Sequence, residues 1–330
     1  MALSRRALLA GAGALVIAPP VRAAGSGVRF RHVFGEIELA APATRVVSLG
    51  SDSHDVLLAL GVAPLAIRSW YGDYPYGVWP WAQPLLGDAE PVVIGGEISA
   101  ETVASLAPDL IVGIGSGMSR EEYDLLSRIA PVLMQEPGTS TYGTSWQTLT
   151  RTLGRAVGKD ALAADLIADL ERRFSETRAR HPEWEGRTAV AVWQDSGQTG
   201  VYTDEDTRPR FLRELGFRPP EAVAALPSFD GFYAIVSSED FSPIDADLVI
   251  WISGQAHASD IAALPMRGAM RARREGREIP LEEVLTGALS FGTILSLPFA
   301  LREMEPLIVL ALDGDPATPV PPAVETGLAP

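Results

Sequence analysis

The sequence predicts an α/β protein built from two similar lobes, with a cleft between them and a long helix joining them. The segment ISAETVASLAPDLIV at Ile98–Val112 recurs 138 positions later as VSSEDFSPIDADLVI at Val236–Ile250. Each copy has the pattern of a short amphipathic helix, an aspartate and a buried strand. A second pair, Asp55–Val62 and Arg210–Phe217, precedes the two copies in the same order, and each member ends a helix on Leu-Gly. A single parallel α/β sheet would also repeat helix, turn and strand, but two echoes in the same order favour a duplication.

Residues 44–145 are predicted to form the first lobe. A helix that ends at Gly61 follows the first strand, and Ser119 with Glu122 forms a candidate capping box for a helix over Arg120–Ile129. The predicted strands are Arg45–Gly50, Pro64–Ile67, Leu110–Ile114 and Pro131–Gln135. Strands that alternate with helices in this way indicate a parallel sheet.

One loop of the first lobe is rich in aromatic residues. Six of the fourteen Trp and Tyr residues lie within twelve positions, interrupted by glycine and proline: Trp70, Tyr71, Tyr74, Tyr76, Trp79 and Trp81. This spacing excludes a regular element, so the rings cannot all lie on one buried face. We expect the cluster as a whole to line a ligand site, with a loop-anchoring core as the alternative.

Residues 146–186 are predicted to form a helical linker, because the stretch is charged and helical and contains no strand pattern. A helix over Asp160–Ala179 would be about 30 Å long, which is enough to act as a strut between the lobes. The second lobe is assigned to residues 187–312 and opens with the strand Thr188–Trp193. The proline-rich tail, 313–330, is predicted to be disordered.

The N-terminus, residues 1–24, has the pattern of a twin-arginine signal peptide. The pair Arg5-Arg6 precedes an apolar run that ends at Ala18, a run about half as long as a bilayer span requires. An ordinary secretory signal is the alternative, but Arg22 near the cleavage site suits the twin-arginine route better. The mature protein is therefore expected in the periplasm or secreted.

Composition narrows the possible functions. The chain has no cysteine, which excludes disulfides, thiolate metal sites, cysteine nucleophiles and a lipid anchor on cysteine. Loss of the signal peptide would remove three arginines and change the formal charge from −15 to about −18. Such a charge disfavours nucleic acid as a partner.

The sequence offers little for catalysis. It contains no nucleophile elbow and no phosphate loop, and its four histidines are far apart, so no metal site is predicted. His54 lies at a strand-to-helix loop that should face the cleft. The remote enzyme alternative is a secreted α/β hydrolase that uses Ser51 or Ser53 with His54, although neighbouring residues on one loop rarely form such a triad. We therefore expect no enzyme activity.

Five segments together resemble the periplasmic binding proteins of ferric-siderophore ABC importers, a group that includes the ferric-dicitrate, hydroxamate and cobalamin binding proteins. The segments are Arg45–Val62, Ile98–Gly113, Glu121–Pro131, Gly200–Gly216 and Gly287–Pro306. The resemblance covers almost all of residues 44–312. It implies two doubly wound, Rossmann-like lobes joined by one long helix, in agreement with the strut inferred above.

The resemblance also implies a function. The protein would capture a ferric siderophore between its lobes, would need no cofactor or metal ligand because the iron arrives already chelated, and would act as a monomer. A haem or cobalamin carrier of the same fold is the alternative. Glu101 and Glu239, which match the acidic residues of the family that engage the permease, would dock the protein on the ABC permease dimer of the inner membrane.

The ligand contacts are predicted from strand ends and residue types. Ligands of open α/β sheets bind beyond the carboxyl ends of the strands. Aromatic rings in those loops could pack on the apolar shell of a wrapped chelate, and an arginine could bind its oxygens. The predicted contacts are Trp70, Tyr71, Tyr76, Trp193, Arg208, Tyr233 and Phe291.

Overall fold

The computed structural model describes residues 27–252 and 254–330. The predicted signal peptide lies outside these residues. The described chain begins with an antiparallel hairpin, β1 (Val28–His32) and β2 (Gly35–Leu39), which the sequence analysis did not predict. Among the described residues no helix combines the length and the apolar character needed to cross a bilayer.

The first lobe has a parallel sheet of five strands in the order β5-β4-β3-β6-β7. Its strands are β3 (Val46–Ser48), β4 (Ala66–Arg68), β5 (Val92–Ile94), β6 (Leu110–Val112) and β7 (Val132–Leu133). The helices are α1 (Ser53–Ala59), α2 (Gln83–Leu86), α3 (Ala100–Ser105) and α4 (Arg120–Leu126). The predicted capping box is present at the start of α4, where Ser119 and Glu122 each accept the other's amide. The central strands are buried, as their continuous apolar sequence requires.

Two helices connect the lobes, α5 (Trp146–Ala156) and α6 (Asp160–Arg180). The second has 21 residues and is about 31 Å long, so it has the length of the predicted strut. The two helices approach closely at Gly154, where an added Cβ would lie 2.5 Å from that of Ala163. Only glycine permits this contact.

The second lobe has a mixed sheet in the order β10-β11-β9-β8-β12-β13. Its strands are β8 (Ala189–Asp195), β9 (Gln198–Tyr202), β10 (Ser228–Phe229), β11 (Tyr233–Val236), β12 (Leu248–Ile252) and β13 (Glu278–Pro280). The helices are α7 (Thr207–Glu214), α8 (Glu221–Ala224), α9 (Ala258–Ala262), α10 (Arg271–Arg274), α11 (Glu283–Phe291), α12 (Ser296–Ala311) and α13 (Pro321–Glu325).

The predicted α/β fold with two lobes is confirmed, but only half of the second sheet is parallel. β8 pairs with β12 and β12 with β13 in parallel, whereas β9, β10 and β11 are antiparallel to their neighbours. The cause is the turn Ser196-Gly197, in which both residues have positive φ. That conformation closes a tight hairpin instead of starting a helical crossover.

The two copies of the repeat differ in one element. The first contains α3, which Ser99 caps by accepting the Thr102 amide. The second has only a short 3-10 turn, Ser242–Ile244, so the helix predicted there is wrong. Asp240 accepts the Ser242 amide and Pro243 supplies no donor, which together favour a turn over a helix.

The predicted disorder of residues 313–330 is also wrong. The tail forms α13, and Leu328 beyond it is only 1% exposed. The Leu328 carbonyl accepts a hydrogen bond of 2.6 Å from Arg267, which is itself paired with the buried Glu278. The prolines of the tail give it the composition of a disordered segment. The apolar residues Val320 and Ala323, which lie among these prolines, are nevertheless buried against the second lobe.

One apolar core runs through both lobes and the linker. It includes Leu110 and Ile114 of the first lobe, Phe174 of the strut, and Phe211 and Ile250 of the second lobe. The lobes are therefore packed together on one side, and the cleft opens between them on the other side.

Candidate functional site

A cleft of about 1160 Å³ separates the loops of the two lobes. The first lobe lines it with residues that follow β3, β4 and β6, as the rule for parallel sheets predicts. The second lobe lines it with the end of β9, the start of α7 and the turn between β10 and β11. β9 is antiparallel to β8, so the carboxyl end of β9 lies towards the amino end of β8. The cleft therefore does not lie beyond the carboxyl ends of the parallel strands of this lobe, as the rule would require.

Arg208 lies in the wall of the second lobe and is held on three sides. Its guanidinium donates two hydrogen bonds to Asp206, at 2.8 and 3.0 Å, and another to the Ser290 hydroxyl. It also lies over the Tyr202 ring, 4.1 Å from the ring centroid. Asp206 caps α7 by accepting the Arg208 amide, so the same carboxylate starts the helix and orients the guanidinium. This arginine is rigid and almost fully buried.

Arg68 is its counterpart on the first lobe. It ends β4 and lines the cleft, where it donates 2.8 Å and 3.4 Å hydrogen bonds to the carbonyls of Ser116 and Gly96. Trp70 lies two residues further on and is 50% exposed. The first lobe thus presents one arginine and one open indole to the cleft.

Aromatic rings form much of the remaining wall. Phe229 and Tyr233 are stacked with ring centroids 4.9 Å apart, and Phe229 is largely exposed. Tyr142 meets Phe232 edge to face across the cleft, at 6.2 Å. Such surfaces can pack against the apolar flank of a ligand, and arginine side chains can donate hydrogen bonds to its polar atoms.

The sequence of residues 46–284 matches the family model described as "Periplasmic binding protein", which is more than half of the chain. The chain belongs to the periplasmic binding protein family. Family members are substrate-binding proteins of transport systems, which agrees with a site that lies between two lobes.

Individual relatives of this periplasmic binding protein point in the same direction. The "Probable siderophore-binding lipoprotein YfiY" of Bacillus subtilis is 30% identical over 68% of this chain and 69% of its own length. A periplasmic solute binding protein from Mycobacterium smegmatis has a TM-score of 0.77 and 32% identity, over 87% of this chain and 99% of that one. Streptococcus pneumoniae PiaA in complex with ferrichrome has a TM-score of 0.74 and 25% identity, over the same shares.

Three of the seven predicted contacts of this periplasmic binding protein line the cleft, namely Trp70, Arg208 and Tyr233. Trp193 does not. Its ring lies over Gly200, where an added Cβ would come within 2.2 Å of it, and it meets Tyr233 edge to face at 6.0 Å. Trp193 therefore supports the wall from behind.

Phe291 and Tyr71 belong to an aromatic core and do not line the cleft. Phe291, at the end of α11, is 2% exposed. Five rings surround it at centroid distances between 5.5 and 6.3 Å: His54, Trp70, Tyr71, Trp79 and Trp81. The aromatic loop thus anchors the second lobe to the first, and only Trp70 of its six rings reaches the cleft. The expectation that the cluster as a whole lines the site is wrong. Most of its rings pack around Phe291 instead, and Phe291 is so distant in sequence that the local pattern of the loop does not reveal it.

Tyr76 lies outside the cleft as well. It is partly exposed, has a φ of 57° and sits in a short 3-10 turn. A hydrogen bond with Glu90 raises the pKa of its phenol. These contacts suit a surface turn.

A group of titratable residues lies at the start of α1. Asp52 lines the cleft, and burial together with the nearby Asp55 raises the pKa of Asp52 to about 7. Asp55 is fully buried and accepts hydrogen bonds from Trp81, at 2.7 Å, and from Thr293 of the second lobe, at 2.6 Å. Burial raises the pKa of Asp55 to about 6.

His54 does not face the cleft, contrary to expectation. It is 1% exposed, neither ring nitrogen has a hydrogen-bond partner among the described residues, and burial lowers its pKa to about 4. The buried Ser53 hydroxyl pairs with Ser48 at 2.7 Å. His54 and Ser53 therefore form no nucleophile and base pair.

The acidic residues that the two copies of the repeat share have two different environments. Asp109 accepts the Thr44 and Arg45 amides, and Asp247 accepts the Thr188 amide, so each aspartate fixes the entry to the first strand of its lobe. Glu101 and Glu239 are exposed, one on each lobe. The described residues bring no group of three or more metal-binding side chains together.

Several cleft residues were missed by the sequence analysis: Arg68, Tyr142, Tyr202, Phe229 and Phe232. Arg68 immediately follows a predicted strand and could have been found by the strand-end rule. Phe229 and Phe232 flank Asp230-Gly231, and exposed rings beside a turn are the signal that could have identified them.

Proposed function

We propose that this periplasmic binding protein captures a ferric siderophore in the interlobe cleft and delivers it to an ABC permease without chemical change. The cleft carries the proposal, because its size, its aromatic walls and an arginine on each lobe suit a bulky chelate with an apolar shell and outward oxygens. Proteins with similar sequence or structure carry siderophore names or hold ferrichrome, which supports the same ligand class. The iron would arrive already chelated, so the protein would supply no metal ligand and no cofactor.

The alternatives fit the cleft less well. A haem carrier needs an axial ligand such as His or Tyr. His54 is buried outside the cleft lining, so a tyrosine of the cleft wall, such as Tyr142 or Tyr233, would have to serve instead. A Soret band shift on haem titration that competes with ferric siderophores would favour haem. A hydrolase would need a serine activated by a base. Ser53 pairs with Ser48, and Ser51 lines the cleft, but its hydroxyl is directed to the Gly115 carbonyl at 3.5 Å and the proposed base His54 is buried outside the lining.

Tryptophan fluorescence tests ligand capture. Trp70 is the tryptophan that lines the cleft, and the others that the structure describes are buried or half-buried. We expect a ferric siderophore to quench the fluorescence, Trp70→Phe to lose most of the quenching, and Trp184→Phe, remote from the cleft, to retain it. If no ferric chelate of any class changes the fluorescence, the proposed function is wrong.

A second test addresses delivery. We propose that Glu101 and Glu239 dock the monomeric protein on the permease dimer, because exposed carboxylates on two related lobes can pair with two related subunits. Glu101→Ala/Glu239→Ala should abolish uptake but keep the affinity for the siderophore. The matched control is Glu121→Ala/Glu221→Ala, which removes two exposed charges elsewhere and should leave uptake intact. A loss of affinity in the first variant would overturn the docking role.

Export forms a third part of the proposal. We propose twin-arginine export to the periplasm, supported by Arg5 and Arg6, without a cysteine-linked lipid, supported by the absence of cysteine. Arg5→Lys/Arg6→Lys should leave the protein in the cytoplasm. Continued export of that variant would indicate the general secretory route.

A further inference from the structure

The charge of the cleft wall bears on which class of chelate fits. Two arginines, Arg68 and Arg208, and three aspartates, Asp52, Asp206 and Asp230, line the cleft. No lysine or histidine is among the lining residues that the structure describes. The wall therefore carries no excess of positive charge, in spite of its arginines.

The arginines are also largely engaged by the protein. Arg208 is paired with Asp206, so together they present no net charge, and its side chain is almost fully buried. Arg68 donates to two carbonyls and is the one lining cation without a carboxylate partner among the described residues. An anion that entered the cleft would therefore meet one free positive charge, Arg68, and two aspartates that have no arginine partner among the described residues, of which Asp52 is about half ionised at pH 7.

Asp52 adds to the cost of binding an anion. Asp52 lines the cleft from the first lobe, and burial raises its pKa because the ionised form is poorly solvated there. A negative ligand beside Asp52 would lose its own hydration, and it would either meet the ionised carboxylate or raise the pKa of Asp52 further until the carboxyl binds a proton. Either outcome costs free energy. Asp230, on the opposite lobe, is exposed at the turn between β10 and β11 and acts in the same direction.

The siderophore classes differ in the charge of their ferric chelates. Three hydroxamate groups, each singly ionised, neutralise one ferric ion, so the chelate is neutral unless its backbone carries a further charge. Three catecholates, each doubly ionised, leave a trianion, and citrate-type chelates are also anionic. The neutral chelate offers an apolar flank to the rings of Trp70, Phe229 and Tyr233, and its few outward oxygens match the few available donors.

From these contacts we infer that the cleft selects ferric trihydroxamates, neutral or singly positive, over ferric catecholates and ferric citrate. This inference rests on the proposed function and specifies its ligand. Specificity would arise from the scarcity of free positive charge in the wall, which rejects the anionic chelates, more than from attraction of the hydroxamate.

The test compares affinities in one preparation of the full-length protein. Quenching of Trp70 is titrated with ferrichrome, ferrioxamine B, ferric enterobactin and ferric citrate. We expect both hydroxamates to bind at least about tenfold more tightly than enterobactin or citrate. If enterobactin or citrate binds as tightly as ferrichrome, the inference is overturned and the proposed function stands. If none of the four binds, the proposed function itself fails.

Two charge variants test the cause. At a pH of about 8, where Asp52 is mostly ionised, Asp52→Asn should reduce the preference for ferrichrome over ferric enterobactin by about threefold to tenfold, because one repelling carboxylate is removed. Asp230→Asn provides the same test on an exposed turn, where asparagine tolerates the φ of 49°. Asp88→Asn removes an equal charge from an exposed position outside the cleft and should leave the ratio unchanged. If the two cleft variants behave like Asp88→Asn, cleft charge does not set the preference.

Discussion

At the scale of single residues, the most informative group is the buried carboxyl of Asp55. It accepts two hydrogen bonds on one oxygen, while its other oxygen lies 3.7 Å from Nε2 of His54 and has no hydrogen-bond partner in the part of the chain that the structure describes. The Thr293 hydroxyl that binds it comes from the second lobe, so this carboxyl connects the lobes through a polar contact inside an apolar region. A charge there is poorly solvated, which is why its pKa is raised.

We therefore expect the stability of the protein to depend on the ionisation of Asp55. Because its pKa is raised to about 6 in the folded state, the folded protein holds this proton more tightly than the unfolded chain, and the contribution of Asp55 to stability decreases as pH rises from about 4 to 6. Asp55→Asn keeps an acceptor for Trp81 and Thr293 and cannot ionise. Relative to the native protein, the variant should gain about 2–3 kcal/mol in free energy of unfolding between pH 4 and pH 8.

Urea unfolding at both pH values measures this difference. His54 titrates in both proteins, so its contribution largely cancels. Asp52 also titrates in both, but loss of the Asp55 charge lowers the pKa of Asp52 and adds to the gain at the higher pH. If the difference in free energy of unfolding is the same at both pH values, burial does not raise the pKa of Asp55 into this range.

At the scale of elements, the repeat gives each lobe the same structural connection. Asp109 and Asp247 occupy the same position in the two copies, and each accepts a hydrogen bond from the backbone just before the first strand of its lobe, β3 or β8. The glutamates of the same copies make no comparable side-chain contact among those described and remain exposed. Sequence similarity alone could not distinguish these two roles, whereas the hydrogen bonds do.

This division predicts opposite phenotypes. Asp109→Ala and Asp247→Ala should each lower the free energy of unfolding by about 1–2 kcal/mol, because backbone and hydroxyl donors lose their acceptor. Glu101→Ala and Glu239→Ala should change it by less than about 0.5 kcal/mol. Denaturant unfolding of the four variants checks this. Equal losses in all four would contradict the assignment of the aspartates to the scaffold.

The elements also show where sequence patterns are sufficient. The capping box at Ser119, the glycines that end helices at Gly61 and Gly216, and the strut helix depend on local spacing, and the structure has all of them. The hairpin turn at Ser196-Gly197 and the place of Phe291 among the tryptophans depend on partners that local patterns do not reveal. For the same reason, the cleft was predicted correctly, whereas four of seven side chains proposed to line it lie elsewhere.

At the scale of the whole molecule, the continuous core determines how the lobes behave. Apolar side chains of both lobes and of the strut belong to one cluster, and Phe291 of the second lobe is enclosed by rings of the first. Separation of the lobes would expose this surface at a cost proportional to its area. Large opening motions are therefore disfavoured, and opening should be confined to the cleft side.

We accordingly expect one cooperative thermal transition for the two lobes. Scanning calorimetry should give a calorimetric enthalpy equal to the van't Hoff enthalpy, and a bound chelate should move the whole transition to higher temperature. Two resolved transitions, with only one of them sensitive to the chelate, would show that the lobes unfold independently.

The carboxyl-terminal tail has a practical consequence for handling the protein. Its Leu328 carbonyl completes the hydrogen bonding of Arg267, whose buried partner Glu278 also accepts the indole of Trp251. A chain shortened at residue 313 for crystallisation would admit water to this ion pair and expose the apolar surface against which Val320, Ala323 and Leu328 are buried. Shortening would therefore trade a well-packed domain for one prone to proteolysis and aggregation, although the proline content of the tail makes it look dispensable.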